Sequence, residues 1–456
     1  MLFTTLRLAL PIALQVLLFS ARGLTDMLMV GRLGQVEVAA VGIAGKLIFI
    51  FALVFYGLAS AASLLATQYQ SAGQNERVQQ LARASLLACL LAGAGAMLAA
   101  GPGAALLLQL ASHDPLVQGA GVQYLHIVAL SLLASACLHA YGILLRNLGH
   151  ASIVTLLVAI GVLLNALLNW LLIFGKAGFP ELGLAGAAWA TLLSALLEVG
   201  LLLLWLHWRQ PSLAPSRLAL WRSAHQPKLL QQFRQQAWPL CLSGGVWASG
   251  VFSYHALVGQ RDTQALAVLS LLGPIESAML ALLIGIASAS GIVLGQRLGQ
   301  GAEPRLYQQS WQLVGFSALL GLLLAALFSL SWSHFPQWFP ALAEVPESLL
   351  SPLLLWISLT LALKSLTMPM IIGLLRAGGD TRFCLWQDML ALWCWGLPLT
   401  AAVTLIWPQS WSWVVLALLA EELAKLFASS WRVSRRHWLT SLVLQDDQKP
   451  APGSAK

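Results

Sequence analysis

The feature that most constrains this chain is a succession of about twelve apolar segments separated by short polar connectors. Each segment is long enough for an α-helix to cross a bilayer, which needs about 20 residues. Only 9% of the residues are charged, whereas soluble proteins have about 25%. The sequence therefore predicts an all-α membrane protein with about twelve transmembrane helices. The segments lie at about 8–30, 38–66, 84–110, 122–145, 152–175, 183–208, 237–259, 264–295, 310–333, 350–374, 384–407 and 411–431.

The distribution of lysine and arginine predicts the orientation of these helices. If connectors alternate between the two sides of the membrane, one side together with both termini carries 18 Lys and Arg residues and the other side carries three. Cytoplasmic loops carry the excess of positive charge. Both termini are therefore expected in the cytoplasm. The net charge of +8 is a topology signal, and no nucleic-acid partner is expected.

An internal repeat divides the chain into two halves. LPIALQ from Leu10 matches WPLCLS from Trp238, and GLASAASLLATQ from Gly57 matches GIASASGIVLGQ from Gly285, both at an offset of 228 residues. LLRNLGH matches LLRAGGD at an offset of 230. Each half holds six predicted helices, so the two repeats are parallel. Transporters built from such repeats bind substrate between the halves.

The repeat and the longest polar connector predict the domain organisation. The connector is rich in proline and arginine, which is typical of an exposed linker. The prediction is an N-lobe at 1–208, a cytoplasmic linker at 209–236, a C-lobe at 237–432 and a cytoplasmic tail at 433–456.

Polar side chains inside the predicted spans are candidates for the transport chemistry, because a charge at mid-bilayer costs about 2.5–3.5 kcal/mol. Asp26 in the first span is the clearest. Asn165 and Asn169 lie one helical turn apart in the fifth span, and Tyr124 and Thr191 add hydroxyl groups. A carboxylate with amide and hydroxyl partners can bind Na⁺ or hold a proton.

These acids also have structural interpretations. Asp26 has Arg22 four residues before it, and such a pair would neutralise both charges. In the second half, Glu276 follows Pro274 in the eighth span, and it is either a second coupling acid or a residue that pairs with Arg261 or faces outward. Lys364 and Asp388 pair with each other or with Glu276. Another group of charged residues is expected to be paired or to snorkel to the surface: Glu198, Glu421, Glu422 and Lys425.

The chain resembles a known family in several motifs. They are GLTDMLMVGRLG in the first span, LRNLGH after the fourth, NALLNWLLIFGKAGFPELGLAGAAWAT across the fifth and sixth, and GIASASGIVLGQRLGQG and LLRAGGDTR in the second half. This combination is similar to the multidrug and toxic compound extrusion (MATE) transporters of bacteria, over about residues 5–435. The resemblance implies two six-helix lobes around a central cavity in the inner (plasma) membrane. It also implies export of organic cations and other amphipathic compounds by antiport with H⁺ or Na⁺.

The resemblance also implies roles for individual residues. Asp26 matches the first-helix aspartate of cation coupling, and it would be a metal ligand if the ion is Na⁺. Asn165 and Asn169 match fifth-helix positions of the same coupling network, and Tyr124 and Thr191 fit its remaining members by their spacing. Pro11 matches a first-helix proline that acts as a hinge in some members. Some members of the family carry acids on helices seven and ten of the second lobe, whereas this chain has none there. A second-lobe cation site of that type is therefore not expected. Either Glu276 substitutes for those acids as the second-lobe candidate, or coupling lies wholly in the first lobe.

Other functions fit the sequence less well. A lipid-linked saccharide flippase of the wider superfamily is the alternative, although such proteins often have more spans and a basic cavity. An enzyme is not expected, because no HExxH motif or nucleophile–base pair stands out. A channel is disfavoured because two large lobes do not form rings of selectivity residues. No cofactor is expected besides the coupling ion, and the partners are small-molecule substrates and membrane lipids around a monomer.

Overall fold

The computed structural model describes residues 1–214, 227–301, 305–338, 342, 345–406 and 411–443. Within these ranges the regular structure is helical, as the apolar segments predict. The helices are α1 (Leu2–Val30), α2 (Gln35–Ser71), α3 (Asn75–Ala100), α4 (Ala104–Ala111), α5 (Pro115–Val128), α6 (Ser131–Leu145), α7 (Ala151–Phe174), α8 (Leu184–Arg209), α9 (Pro227–Arg261), α10 (Thr263–Gly299), α11 (Leu306–Leu330), α12 (Phe335–Trp338), α13 (Glu347–Met368), α14 (Thr381–Met389), α15 (Leu397–Ile406) and α16 (Trp411–Ser434).

Eight helical stretches of the described chain are long and apolar enough to cross a membrane. One of them, Ser131–Phe174, overlaps both the fourth and the fifth predicted spans, and the non-helical Gly149 lies between the two. The all-α membrane architecture is therefore confirmed, and the count of twelve stays a prediction.

The chain forms two compact units. One, here called the N-unit, comprises Gln15–Ala66 and Gln74–Cys241. The other, the C-unit, comprises Met1–Leu14, Thr67–Gly73 and the described residues of Leu242–Lys456. The predicted lobe, linker and tail boundaries stay predictions, since residues 215–226 of the linker and 444–456 of the tail lie outside the described residues.

Two prolines lie close to the points at which helices pass from one unit to the other. Pro11 is inside α1, which changes unit after Leu14, and Pro239 is inside α9, which changes unit after Cys241. Proline removes one backbone hydrogen bond of a helix and favours a bend. The predicted hinge at Pro11 therefore has a counterpart at the matching position of the second repeat.

The repeat is visible in the turns as well as in the sequence motifs. Gly73 and Gly301 both have positive φ angles, 77° and 104°. Gly149 and Gly379, in the matching LLRNLGH and LLRAGGD motifs, have φ angles of 95° and 81°. Glycine adopts this left-handed conformation without the steric cost of a Cβ atom. The duplicated sequence therefore specifies the same chain reversals in both halves.

Inside the N-unit, the close pair α7 and α8 positions the candidate site. The helices approach at Gly186, where a Cβ atom would lie 2.6 Å from the backbone carbon of Leu172. Small residues allow this kind of backbone contact between membrane helices. The apolar faces of α7 and α8 bury Val158, Val162 and Leu192.

Gly186→Ala is expected to destabilise the protein by about 1–3 kcal/mol, because the methyl group meets rigid backbone and forces the helices apart. Gly200→Ala is the matched control on the same helix, since no atom lies within 4 Å of its added Cβ. Thermal unfolding of both variants in detergent measures the difference. Equal stability of the two variants would contradict this packing.

Inside the C-unit, a large apolar core lies among α10, α11 and α13. It includes Leu272, Leu283, Phe328, Leu353 and Leu361. The N-terminal residues of α1 add a smaller cluster, in which Ala9 and Ile12 pack with Ile286 and Ile292 of α10. The first turns of the chain thus belong to the core of the C-unit.

Candidate functional site on α1, α7 and α8

The site in the N-unit is built from helix faces that bring together residues four positions apart. Arg22 and Asp26 share a face of α1, and Asn165 and Asn169 share a face of α7. Both asparagines are almost completely buried, with 1% and 0% of their surface exposed. Asp26 is half-buried beside them. The predicted carboxylate and amides therefore meet at one place.

Asp26 and the asparagines form a short hydrogen-bonded chain. The Nδ2 atom of Asn169 donates to Oδ1 of Asp26 at 2.5 Å, and it also lies 3.4 Å from Oδ1 of Asn165. The Nδ2 atom of Asn165 and the Oδ1 atom of Asn169 are buried and have no hydrogen-bond partner among the described residues. A buried polar atom without a partner costs about 1–3 kcal/mol. A bound cation or proton at this place would satisfy the free oxygen.

Tyr124 and Thr191 complete the predicted group. The buried Tyr124 lies beside the Thr191 hydroxyl and within electrostatic range of Asp26 and Arg22. The Thr191 hydroxyl donates to the carbonyl oxygen of Ala187 on its own helix at 3.1 Å. The structure thus brings together all five residues that the sequence singles out in the first half.

Sequence reasoning did not place Glu198 and Ser194 in this site. They follow Thr191 by seven and three positions and lie on the same face of α8. The guanidinium of Arg22 donates to Oγ of Ser194 at 2.8 Å and lies 3.8 Å from Oε2 of Glu198. Glu198 is paired, as expected, and its partner is Arg22. Thr191, Ser194 and Glu198 are three and four residues apart, and this helical spacing could have predicted that they share one face of α8.

In the C-unit, Glu276 is paired with a lysine. Its Oε1 atom lies 3.7 Å from Nζ of Lys364, and each side chain is about one-fifth exposed. Arg261, the other partner considered for Glu276, has its guanidinium 4.3 Å from the centre of the Trp411 ring. The geometry therefore favours a structural ion pair at Glu276, and a coupling role there has no further support.

A second charged cluster of the C-unit is more deeply buried. Nζ of Lys425 lies 2.5 Å from Oε1 of Glu421 and 3.8 Å from Oδ1 of Asp388. Oε2 of Glu422 accepts a hydrogen bond from Thr367 at 3.2 Å. In the same cluster Oδ2 of Asp388 accepts a hydrogen bond from Ser243 at 2.9 Å. The partner of Asp388 is thus Lys425 and not Lys364. Asp388 lies on α14 and Lys425 on α16, so the spacing of residues along α16 could not predict this pair.

The described residues contain no group of three His, Cys, Asp or Glu side chains arranged to hold a metal ion. Within this site, Asp26 is the carboxylate that lies directly beside neutral amide and hydroxyl groups, while the Glu198 carboxylate is paired with Arg22. Such a set suits a weakly bound monovalent cation or a proton better than a tightly held transition metal, which prefers imidazole and thiolate ligands.

Comparison with known proteins identifies the family. The family model named MatE matches residues 11–171 and again residues 239–400. The two matches begin 228 residues apart, which is the offset of the repeated motifs, and together they cover more than half of the chain. The chain belongs to the MATE family. It is accordingly a multi-pass membrane protein of a transporter family.

Relatives and solved structures agree with membership of the MATE family. A probable multidrug resistance protein NorM of Synechococcus sp. is 28% identical over 424 residues, with 90% of this chain and 89% of the relative covered. A NorM protein of Synechocystis sp. is 27% identical over 72% of this chain and 68% of its own length. The crystal structure of an aspartate-to-asparagine mutant of the Vibrio cholerae MATE transporter VcmN has a TM-score of 0.85 at 19% identity, over 95% and 96% of the two chains. At this identity the structural likeness shows the MATE fold alone.

Proposed function

We propose that this protein is a multidrug efflux transporter that exports amphipathic or cationic small molecules in antiport with H⁺ or Na⁺. The observation that carries the proposal is the hydrogen bond from Asn169 to Asp26 beside a buried asparagine oxygen that lacks a donor. The multidrug resistance relatives supply the substrate class. We further propose that the protein acts as a monomer in the bacterial inner membrane. Its Lys and Arg distribution supports the placement of both termini in the cytoplasm.

The chemistry of the site suits either ion. A proton on Asp26 turns an oxygen of the carboxylic acid into a donor for a neighbouring acceptor. Na⁺ instead takes oxygen ligands from Asp26, from an asparagine amide and from nearby hydroxyl groups. In both cases loading of Asp26 neutralises its negative charge, so the loaded and empty sites differ in charge by one.

That difference in charge is what couples the ion to transport. A cation drives export only if it binds the alternating states of the protein with different affinity. One charge that moves through about 150 mV releases about 3.5 kcal/mol. For an electrically neutral substrate exchanged for one cation, this energy supports a gradient of a few hundred-fold, at about 1.4 kcal/mol per factor of ten.

Transport in inside-out vesicles tests the proposal. We expect ethidium to accumulate in vesicles whose lumen has been made acidic at constant Na⁺, or sodium-rich at constant pH, and the gradient that works identifies the ion. Vesicles without the protein and vesicles treated with an ionophore are the controls. If neither gradient changes ethidium accumulation while the protein is present, cation coupling is wrong for this chain.

A further inference from the structure

Arg22 lies between two carboxylates on different helices. It precedes Asp26 by four residues, so both side chains occupy one face of α1, where Cβ atoms at this spacing are about 5–6 Å apart. Its guanidinium nevertheless contacts α8, with 2.8 Å to Oγ of Ser194 and 3.8 Å to Oε2 of Glu198. Arg22 therefore contacts Glu198, which is 176 positions away in the chain, although Asp26 lies only four positions away.

Glu198 is buried at a position from which its carboxylate contacts the guanidinium of Arg22. Only 5% of its surface is exposed, and it packs against the bare backbone of Gly161, where a Cβ atom would lie 2.5 Å from its Oε2 atom. Gly161 precedes Asn165 by four residues, so the face of α7 that carries the asparagines also makes room for Glu198. A buried carboxylate is costly unless it is paired, and the described partner of Glu198 is Arg22.

We propose that Glu198 is a positioning residue of the cation site, which holds the Arg22 guanidinium away from Asp26 and so leaves Asp26 free to bind the coupling cation. This inference rests on the proposed role of Asp26. One guanidinium lies within electrostatic range of two carboxylates, and it favours the carboxylate to which it lies closer. An arginine on Asp26 would occupy the place of the cation and compete with it.

The proposal makes a specific prediction for Glu198→Gln. The neutral amide no longer holds Arg22, so the guanidinium turns to Asp26. We expect the cation concentration for half-maximal ethidium transport to rise by at least about tenfold, equivalent to about 1.4 kcal/mol. The maximal rate at saturating cation should stay within about twofold, because a saturating cation displaces the competitor.

The double variant Arg22→Gln with Glu198→Gln separates this role from a structural one. With the arginine removed, nothing competes at Asp26, and the half-saturating concentration should return to within about threefold of wild type. Damaged packing around residue 198 would not be repaired by a second substitution. Gly161→Ala provides an independent variant that keeps both charges, and we expect the same shift because its methyl group displaces the Glu198 carboxylate.

Glu76→Gln, an exposed glutamate in the first turn of α3, is the matched control and should leave the cation dependence unchanged. An unchanged half-saturating concentration in both Glu198→Gln and Gly161→Ala, or a double variant that stays shifted, would overturn the inference. Asp26→Asn, measured in the same vesicles, distinguishes the two levels of the argument. If Asp26→Asn keeps gradient-driven transport, the proposed role of Asp26 fails, and the inference that rests on it fails with it. If Asp26→Asn loses transport while Glu198→Gln shows no shift, the inference about Glu198 alone fails.

Discussion

Asp26→Asn is expected to abolish gradient-driven ethidium transport, with accumulation no greater than in vesicles without the protein. The asparagine keeps the size of the side chain and one hydrogen-bonding oxygen beside Asn169, so the fold should survive. It carries no charge and accepts no proton at neutral pH, and it therefore removes the difference in charge between loaded and empty sites. The measurement is transport under the effective gradient identified for the wild-type protein.

Asp114→Asn is the control for this experiment. Asp114 is exposed and caps α5, where its Oδ1 atom accepts a hydrogen bond from the backbone nitrogen of Leu116 at 2.9 Å. Asparagine caps helices about as well as aspartate. The control should transport normally. Normal gradient-driven transport by Asp26→Asn as well would show that Asp26 has no part in coupling.

Lys425→Met is expected to cause the largest loss of stability in the C-unit, about 3–5 kcal/mol. Methionine fills nearly the same volume but leaves Glu421 and Asp388 without their buried cationic partner. Removing one member of a buried ion pair costs far more than the pair itself contributes, because the remaining charges have lost their water. Thermal unfolding in detergent, followed by size-exclusion chromatography, gives the loss.

Lys364→Met is the comparison for Lys425→Met. Its partner Glu276 is about one-fifth exposed and the two atoms are 3.7 Å apart, so this pair is looser and less buried than the Lys425 cluster. We expect a smaller loss of stability than for Lys425→Met. The double variant Lys425→Met with Glu421→Gln should recover part of the stability of Lys425→Met, since it removes one uncompensated charge. Equal losses for the two lysines would contradict the argument from burial.

Most of the candidate site follows from local spacing in the sequence. Asn165 and Asn169 are four residues apart on a long apolar helix, so their common face is determined by helix geometry. Asp26 lies in an apolar segment, where placing a charged side chain in the bilayer costs free energy. An acid at such a position is therefore a candidate functional residue. Family membership, which the repeat and the motifs suggested, is confirmed by the double match at the same offset.

The partners of the embedded charges were less predictable. The sequence places Arg22 four residues before Asp26, and helix geometry alone favours that pair. The structure pairs Arg22 with Glu198 and Asp388 with Lys425, each across a long stretch of chain. Such choices depend on which helix faces pack together, and periodicity along one helix carries no information about its neighbours.

The sequence by itself determined that this chain is an all-α, duplicated membrane protein, because apolar length and repeat spacing are local properties that the bilayer converts directly into helices. It also determined that Asp26 would be the principal candidate for coupling. Only the tertiary structure decided that Gly161 leaves space for Glu198, and that Arg22 contacts Ser194 and Glu198 on α8. The reason is physical: a buried charge selects its partner by distance in space, and helix packing sets that distance.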